Sequence, residues 1–327
     1  MTPRSREPDV PERGDASARG LIRETYGFLI EDPLRAARKI LPSYVGADLG
    51  RPGIASCLEA FTSRAILFAR LERLFQGDVV FELPAHLSVL RGDLGADPVL
   101  EGWSLAEEER RLLETGISPL DDFADILDRK GIKVLPARCP VACAGVLFEE
   151  ITGPAVLVDR PPDSPEGRAA MAHAFGHFVA DVNPYRIRFC LLGSGLRDTP
   201  EEARAEAFAR ALLLPADAFP SGTDLEDDEV RDIAGIYEAP EGLVRQRSAD
   251  ILDPDRRWEG IVLREITGPE EDWDPPPPPR FLDLVLMAFS KGMVDGAGLQ
   301  VLLGADENRV WALLQWAEER PGSDAPA

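Results

Sequence analysis

A chain of 327 residues in which 44% are apolar is long enough for one sizeable domain plus smaller ones. Its 58 acidic against 36 basic residues leave a formal charge of −22, which argues against binding nucleic acid or anionic membrane through general surface electrostatics. No apolar run approaches the roughly 18 residues of a membrane span, the start Met-Thr-Pro-Arg-Ser-Arg-Glu-Pro has no hydrophobic signal core, and four cysteines in no zinc-finger spacing do not make a disulfide framework. The expectation is a soluble protein of the reducing cytoplasm.

In chain order, residues 1–18 are Pro, Arg, Glu, Asp and Ser with little to bury and read as a disordered tail. Residues 21–41 show helical spacing interrupted at Asp32-Pro33, which can cap a second helix ending before Pro42. The strongest pattern is 54–75, where Leu58, Phe61, Ile66, Leu67, Leu71 and Leu74 share a broad apolar face. A further helix is expected at 104–113, with Ser104 as cap and Glu107 completing a capping box. Residues 19–115 thus read as an N-terminal helical module packed on the core. A helix, three short β-rich runs and two more helices follow, an order that suits an α+β domain.

The two helices carry the chemistry. In the first, Met-Ala-His-Ala-Phe-Gly-His-Phe-Val-Ala-Asp holds two of the three histidines of the chain. Asp163 or Ser164 can cap this helix, Pro165 fits its first turn, and Pro184 forbids its continuation. His173 and His177 then stand one turn apart on one face and can share a metal ion. The spacing alone is a weak signal, and a third ligand is needed. The second helix, running from Thr199-Pro-Glu-Glu to Pro215, offers Glu201, Glu202 and Glu206. Glu202 has a purely structural use as well, since Thr199 as cap and Glu202 three residues on make a capping box.

His-Ala-x-x-His followed by a helix of the form E-x-x-A-x-x-F-A-x-x-L-L-x-P resembles the ImmA/IrrE family of zinc metallopeptidases. The second pattern falls on Glu202, Ala205, Phe208, Ala209, Leu212, Leu213 and Pro215. The resemblance implies a Zn²⁺ ion held by His173, His177 and Glu202, with Glu206, an acidic group on the same face, as a rival ligand. It extends over 117–134 as leading helix and first strand, 146–148 and 154–159 as further strands, and 232–245 as the short helices after the core. The small sheet is expected to pack on the histidine helix. In H-E-x-x-H peptidases the residue after the first His is the general base acting on zinc-bound water. Here it is Ala174, and a methyl group cannot accept a proton.

The resemblance therefore implies either a cytoplasmic zinc endopeptidase that cleaves a helix-turn-helix repressor or antitoxin, switching transcription in a stress response, or a pseudo-peptidase that recognises such a partner without cutting it. Ala174 favours the second. Neither direct nucleic-acid binding nor a membrane is expected. The loop Arg-Cys-Pro-Val-Ala-Cys-Ala-Gly at 138–145 runs toward the cleft in the family, so Cys139 or Cys143 is a candidate fourth ligand, the alternative being small buried hydrophobes. The expected organisation is a tail at 1–18, a helical module at 19–115, a metallopeptidase-like domain at 116–268, a proline-rich linker at 269–279, a C-terminal helical element at 280–320 and a tail at 321–327. That last element, with short helices at 281–290, 298–303 and 308–317, carries Trp311 and Trp316 and reads as a packing or protein-docking piece.

Overall fold

The computed structural model describes residues 33–45, 49–76, 97–181, 187–191, 199–220, 224–253 and 275–319. The expected tails at 1–18 and 321–327, the first half of the 21–41 pattern and most of the proline-rich linker lie outside the described residues. Among those described are eleven α-helices and one five-stranded mixed sheet, a mainly helical α+β fold as the sequence led us to expect. No described helix is long and apolar enough to cross a membrane. Pro33–Pro278 forms one compact unit, and the described residues from Pro279 onward belong to a second.

In the larger unit the strands are β1 (Tyr44–Val45), β2 (Lys133–Pro136), β3 (Cys143–Glu149), β4 (Gly153–Val158) and β5 (Ile187–Leu191), in spatial order β1-β5-β3-β4-β2. β3 and β4 form an antiparallel hairpin in which Val146 faces Val156 and Glu149 faces Gly153. Its turn is closed by the Thr152 N–H donating to the Glu149 carbonyl at 3.0 Å, and Gly153 adopts φ +62°, a region glycine enters without a Cβ penalty. β2 runs parallel to β4, β5 antiparallel to β3, and β1 parallel to β5. The expectation of an all-helical N-terminal module is corrected by β1: two residues are too few to show a period in the sequence, and their pairing is non-local.

Residues 155–158 of β4 are completely buried. Successive side chains of a strand point to opposite faces, so this sheet is covered on both sides, and the run is continuously apolar rather than alternating. Val134, Ala144, Val146, Val156 and Val158 join the main core with Met171, Phe175 and Phe178, from the helix Pro165–Asp181. Leu135, Leu147, Ala155 and Leu157 are equally enclosed but belong to the opposite face. The helix reaching β2 and β4 there is Ile54–Gln76, with Phe68 and Glu72 against Lys133 of β2.

We label the helices in chain order α1 (Pro33–Ile40), α2 (Ile54–Gln76), α3 (Pro98–Leu112), α4 (Phe123–Arg129), α5 (Pro165–Asp181), α6 (Pro200–Leu213), α7 (Asp227–Tyr237) and α8 (Glu241–Leu252). α3 begins at Pro98 rather than at the expected Ser104, because Asp97 is the cap: its carboxylate accepts from the Val99 N–H at 2.9 Å, and Pro98 fills the first turn. Gly102, which weakens the helical pattern before Ser104, lies where a Cβ would come within 2.4 Å of the Arg204 carbonyl on α6. The glycine thus allows the backbones of α3 and α6 to touch. The second unit contains α9 (Pro279–Ser290), α10 (Gly296–Leu303) and α11 (Glu307–Glu319), close to the three expected helices. Asp295 caps α10 through the Gly298 N–H at 2.9 Å, Gly304 ends it at φ +61°, and Trp311 is partly exposed.

Glu72 and Lys133, each 3% exposed, pair at 2.8 Å across the interface between α2 and the sheet. Removing one partner strands a buried charge, whereas replacing both with apolar groups avoids the desolvation cost. Glu72→Leu alone is expected to lower unfolding free energy by about 3–5 kcal/mol, and Glu72→Leu with Lys133→Met to recover most of it. Urea denaturation of the single and double variants measures both.

Candidate metal centre

α5 carries two of the three converging side chains. Ser164 rather than Asp163 caps it, its hydroxyl accepting from the Gly167 N–H at 3.0 Å. The helix is enclosed all round: every residue from 167 to 179 is buried, packed among β3, β4, α4 and α6. A helix with this coverage needs no amphipathic stripe, and its small apolar residues let neighbours approach closely. Arg168 anchors its start, donating to the Leu120 carbonyl and pairing with Glu238 at 3.2 Å.

The third side chain comes from the first turn of α6. The Thr199 hydroxyl accepts from the Glu202 N–H at 3.3 Å, so the cap is real, while the Glu202 carboxylate turns toward the histidines. His173 Nε2 and His177 Nε2 lie 3.1 Å apart, and Glu202 Oε2 is 3.3 Å from the first and 3.4 Å from the second. The rings stand nearly perpendicular, at 86°. Four-coordinate zinc with bonds of about 2.0–2.1 Å places neighbouring donor atoms roughly 3.3 Å apart, so this triangle has the size such an ion requires. The residues are 2%, 1% and 6% exposed, and together they form a buried cluster that can hold a metal ion.

The electrostatics point the same way. Burial alone pushes the Glu202 carboxyl upward, but the two histidines outweigh it and hold the group well below the usual carboxylate range. Its position in the first turn adds the favourable field of the N-terminus of α6. The far end of α6 is held by arginines: Arg110 donates to the Leu212 carbonyl, and Arg247 Nε donates to the Leu214 carbonyl at 3.1 Å. Cations on the last carbonyls of a helix satisfy groups that have no intrahelical donor.

The close seating of α6 on α5 depends on Gly176, between the two histidines. A Cβ there would lie 2.9 Å from a Phe208 ring carbon and 3.1 Å from the Ala205 carbonyl. This supporting role is legible in the sequence only as a glycine interrupting a helix, a hint of close backbone approach.

Two expected alternatives are not brought to the cluster. Glu206, the rival ligand, is 3% exposed and lies 3.6 Å from Arg210, itself 2.7 Å from Asp250. One turn along α6 from Glu202, it is drawn to the Arg210 guanidinium, which Asp250 also engages. Cys139 and Cys143, the candidate fourth ligands, cluster with Cys57 instead, and Cys57 and Cys139 are joined as a disulfide. The reason is strand parity: Ala144 of β3 faces α5, so Cys143 faces the opposite side of the sheet, toward α2. Ala174, the residue after the first histidine, is fully buried within the core.

No protein-family model matches the chain, and no curated protein matches it significantly.

Metal analysis after dialysis against divalent cations is expected to find about one equivalent on the unaltered chain, lost on His173→Ala or Glu202→Gln and kept on Glu206→Gln. Retention by Glu202→Gln together with loss by Glu206→Gln would reverse the ligand assignment. Gly176→Ala is expected to cost about 1–3 kcal/mol by forcing α5 and α6 apart, and to weaken metal retention although no ligand is altered. Thermal unfolding with and without EDTA reads both effects.

Proposed function

We propose that this chain is an ImmA/IrrE-like zinc protein of the cytoplasm that recognises a protein partner, a helix-turn-helix repressor or an antitoxin, and with Ala174 in the chain does not cut it. The observation that carries the reading is the buried triangle of two imidazole nitrogens and one carboxylate oxygen, 3.1–3.4 Å on edge, beside a residue with no proton acceptor. Nitrogen donors with a single carboxylate suit zinc better than magnesium or calcium, which take mostly oxygen, and better than ions that favour thiolates. The sequence resemblance supports the partner class and the transcriptional setting.

His173, His177 and Glu202 are the residues that would hold the ion. Bound there, zinc supplies Lewis acidity and a more acidic water. Hydrolysis also requires a group on the chain to take that water's proton. The Ala174 methyl cannot, and Glu206 is engaged with Arg210. The chain therefore keeps the means to bind a metal and lacks the base for turnover. In the resembling family such a regulator acts by cutting its partner; here regulation by binding alone is the reading that fits.

The test is cleavage of candidate repressors by the unaltered chain, by Ala174→Glu and by Ala174→Gln, with circular dichroism and metal content confirming that each folds and loads. Ala174→Glu is expected to cut at a single site, at a rate about 10²–10⁴-fold above the other two. Equal cleavage by the unaltered chain would defeat the pseudo-peptidase reading.

A further inference from the structure

Away from the metal centre, on the other face of the sheet, Cys57, Cys139 and Cys143 bring three sulfurs within 4.8 Å of one another. Cys57 and Cys139 form a disulfide whose Cα atoms are 5.5 Å apart, within the usual range of about 4.4–6.8 Å. The residues are 5%, 2% and 0% exposed. Contact between the segments does not depend on sulfur. Gly53, at φ +83° just before α2, lies where a Cβ would sit 3.0 Å from the Pro140 ring, so the start of α2 rests directly on the loop carrying Cys139.

We propose that Cys57, Cys139 and Cys143 form an intramolecular thiol–disulfide exchange site, in which the bridge moves between Cys57–Cys139 and Cys139–Cys143. The Cys143 thiolate attacks Cys139 Sγ. A Cys139–Cys143 bond forms, the Cys57–Cys139 bond breaks, and Cys57 leaves as the thiolate and takes up the proton that Cys143 gave up. No electrons leave the protein and no external oxidant is consumed.

The direction of exchange follows from the place of each sulfur. Exchange is faster when the departing thiol is the better-stabilised thiolate. Cys57 lies in the first turn of a 23-residue helix, its N–H donating to the Gly53 carbonyl at 2.9 Å, where the helix field favours negative charge. It is also the most exposed of the three. Cys57 and Cys139 are already joined to each other, which leaves one thiol rather than three for a metal, so the redox reading is favoured over a second metal site. The two bridges differ in what they tie. One spans 82 residues and fastens α2 to the segment leading into β3; the other closes a short loop and releases α2. In a reducing compartment disulfides are typically transient, which suits a bridge that can move.

The experiment equilibrates the full chain with glutathione disulfide, a two-electron oxidant that forms the first bridge. The chain is then alkylated with N-ethylmaleimide in acid denaturant without reduction, and linked peptides are identified by mass spectrometry. The unaltered chain is expected to show the Cys57–Cys139 link together with a population carrying Cys139–Cys143 and labelled Cys57. Cys143→Ser should lose the labelled Cys57, and Cys57→Ser, which stands independently if the first variant misfolds, should show Cys139–Cys143 as its bridge. The proposal is overturned by equal Cys57 labelling with and without Cys143, by Cys57→Ser leaving Cys139 and Cys143 both labelled, or by native mass spectrometry showing a metal ion that Cys57→Ser loses while His173→Ala keeps it.

Discussion

A carboxylate and two imidazoles enclosed at the junction of two helices set the terms for the rest of the molecule. Glu202, His173 and His177 are each almost wholly removed from water, and an ionised carboxylate in such a place requires a compensating positive charge. That charge is either a proton on an imidazole or a metal ion, and metal binding competes with the proton because a ligating imidazole must be neutral. The arrangement is thus poised electrostatically: the field of α6, the two rings and the cation all act on one carboxylate oxygen. Everything that fixes the separation of α5 and α6 also fixes the size of the triangle.

The surrounding charges serve that separation. Arg110 and Arg247 occupy the last carbonyls of α6, Arg204 reaches Glu101 on α3 at 2.9 Å, and Arg210 bridges α6 to Asp250 on α8. Arg247 also lies over the Trp103 ring, 5.2 Å from its centroid, and burial lowers its pKa to about 10. A guanidinium remains charged there and can donate in several directions at once, which suits it to joining three helices where an ammonium would not. Glycines at 102 and 176 let α3 and α5 approach α6 without an intervening Cβ, so small residues draw the helices together while arginines set where they stop. The second turn of α6 pays for this belt by giving Glu206 to Arg210.

Local chemistry makes much of this legible in the sequence. The i,i+4 histidines, the Thr199 cap with Pro200 behind it and the three helices of the second unit all rest on short-range rules, and each appears where those rules place it. What escaped is non-local. Two-residue β1 has no period to detect, and its partner β5 is more than a hundred residues away. Cys57 shows no spacing relation to Cys139, since they lie 82 residues apart, one on an α-helix and the other in a loop. Glu206 stands as a rival to Glu202 in the sequence because the contact that fixes its i,i+4 neighbour Arg210, an ion pair with Asp250, spans 40 residues. Cys143, one of two candidate fourth ligands in what reads as a loop, begins β3 instead and is buried on the face away from α5, as the alternative of a small buried hydrophobe has it. Capping alone misleads at Ser104, because a better cap, Asp97, lies about two turns upstream, across Gly102.

Ala174 ties the chemistry of the centre to its packing. It lies in a helix covered on every side, one residue from a metal-ligand candidate, and is itself completely enclosed. A carboxylate at that position would have to be desolvated, or would have to keep a path to water open through the core. It would also place a second negative charge near the one that Glu202 already contributes, and like charges in a low-dielectric site oppose each other's ionisation. A catalytic centre accepts such costs because the base must be both buried and reactive, and active sites commonly trade stability for that. With alanine the cost disappears: a divalent ion, two neutral imidazoles and one carboxylate leave a net charge of about one, and α5 can close against its neighbours as an ordinary core helix. An alanine at this position and tight closure of the helix are thus one physical arrangement, and it leaves His173, His177 and Glu202 as a buried cluster that can hold a metal ion.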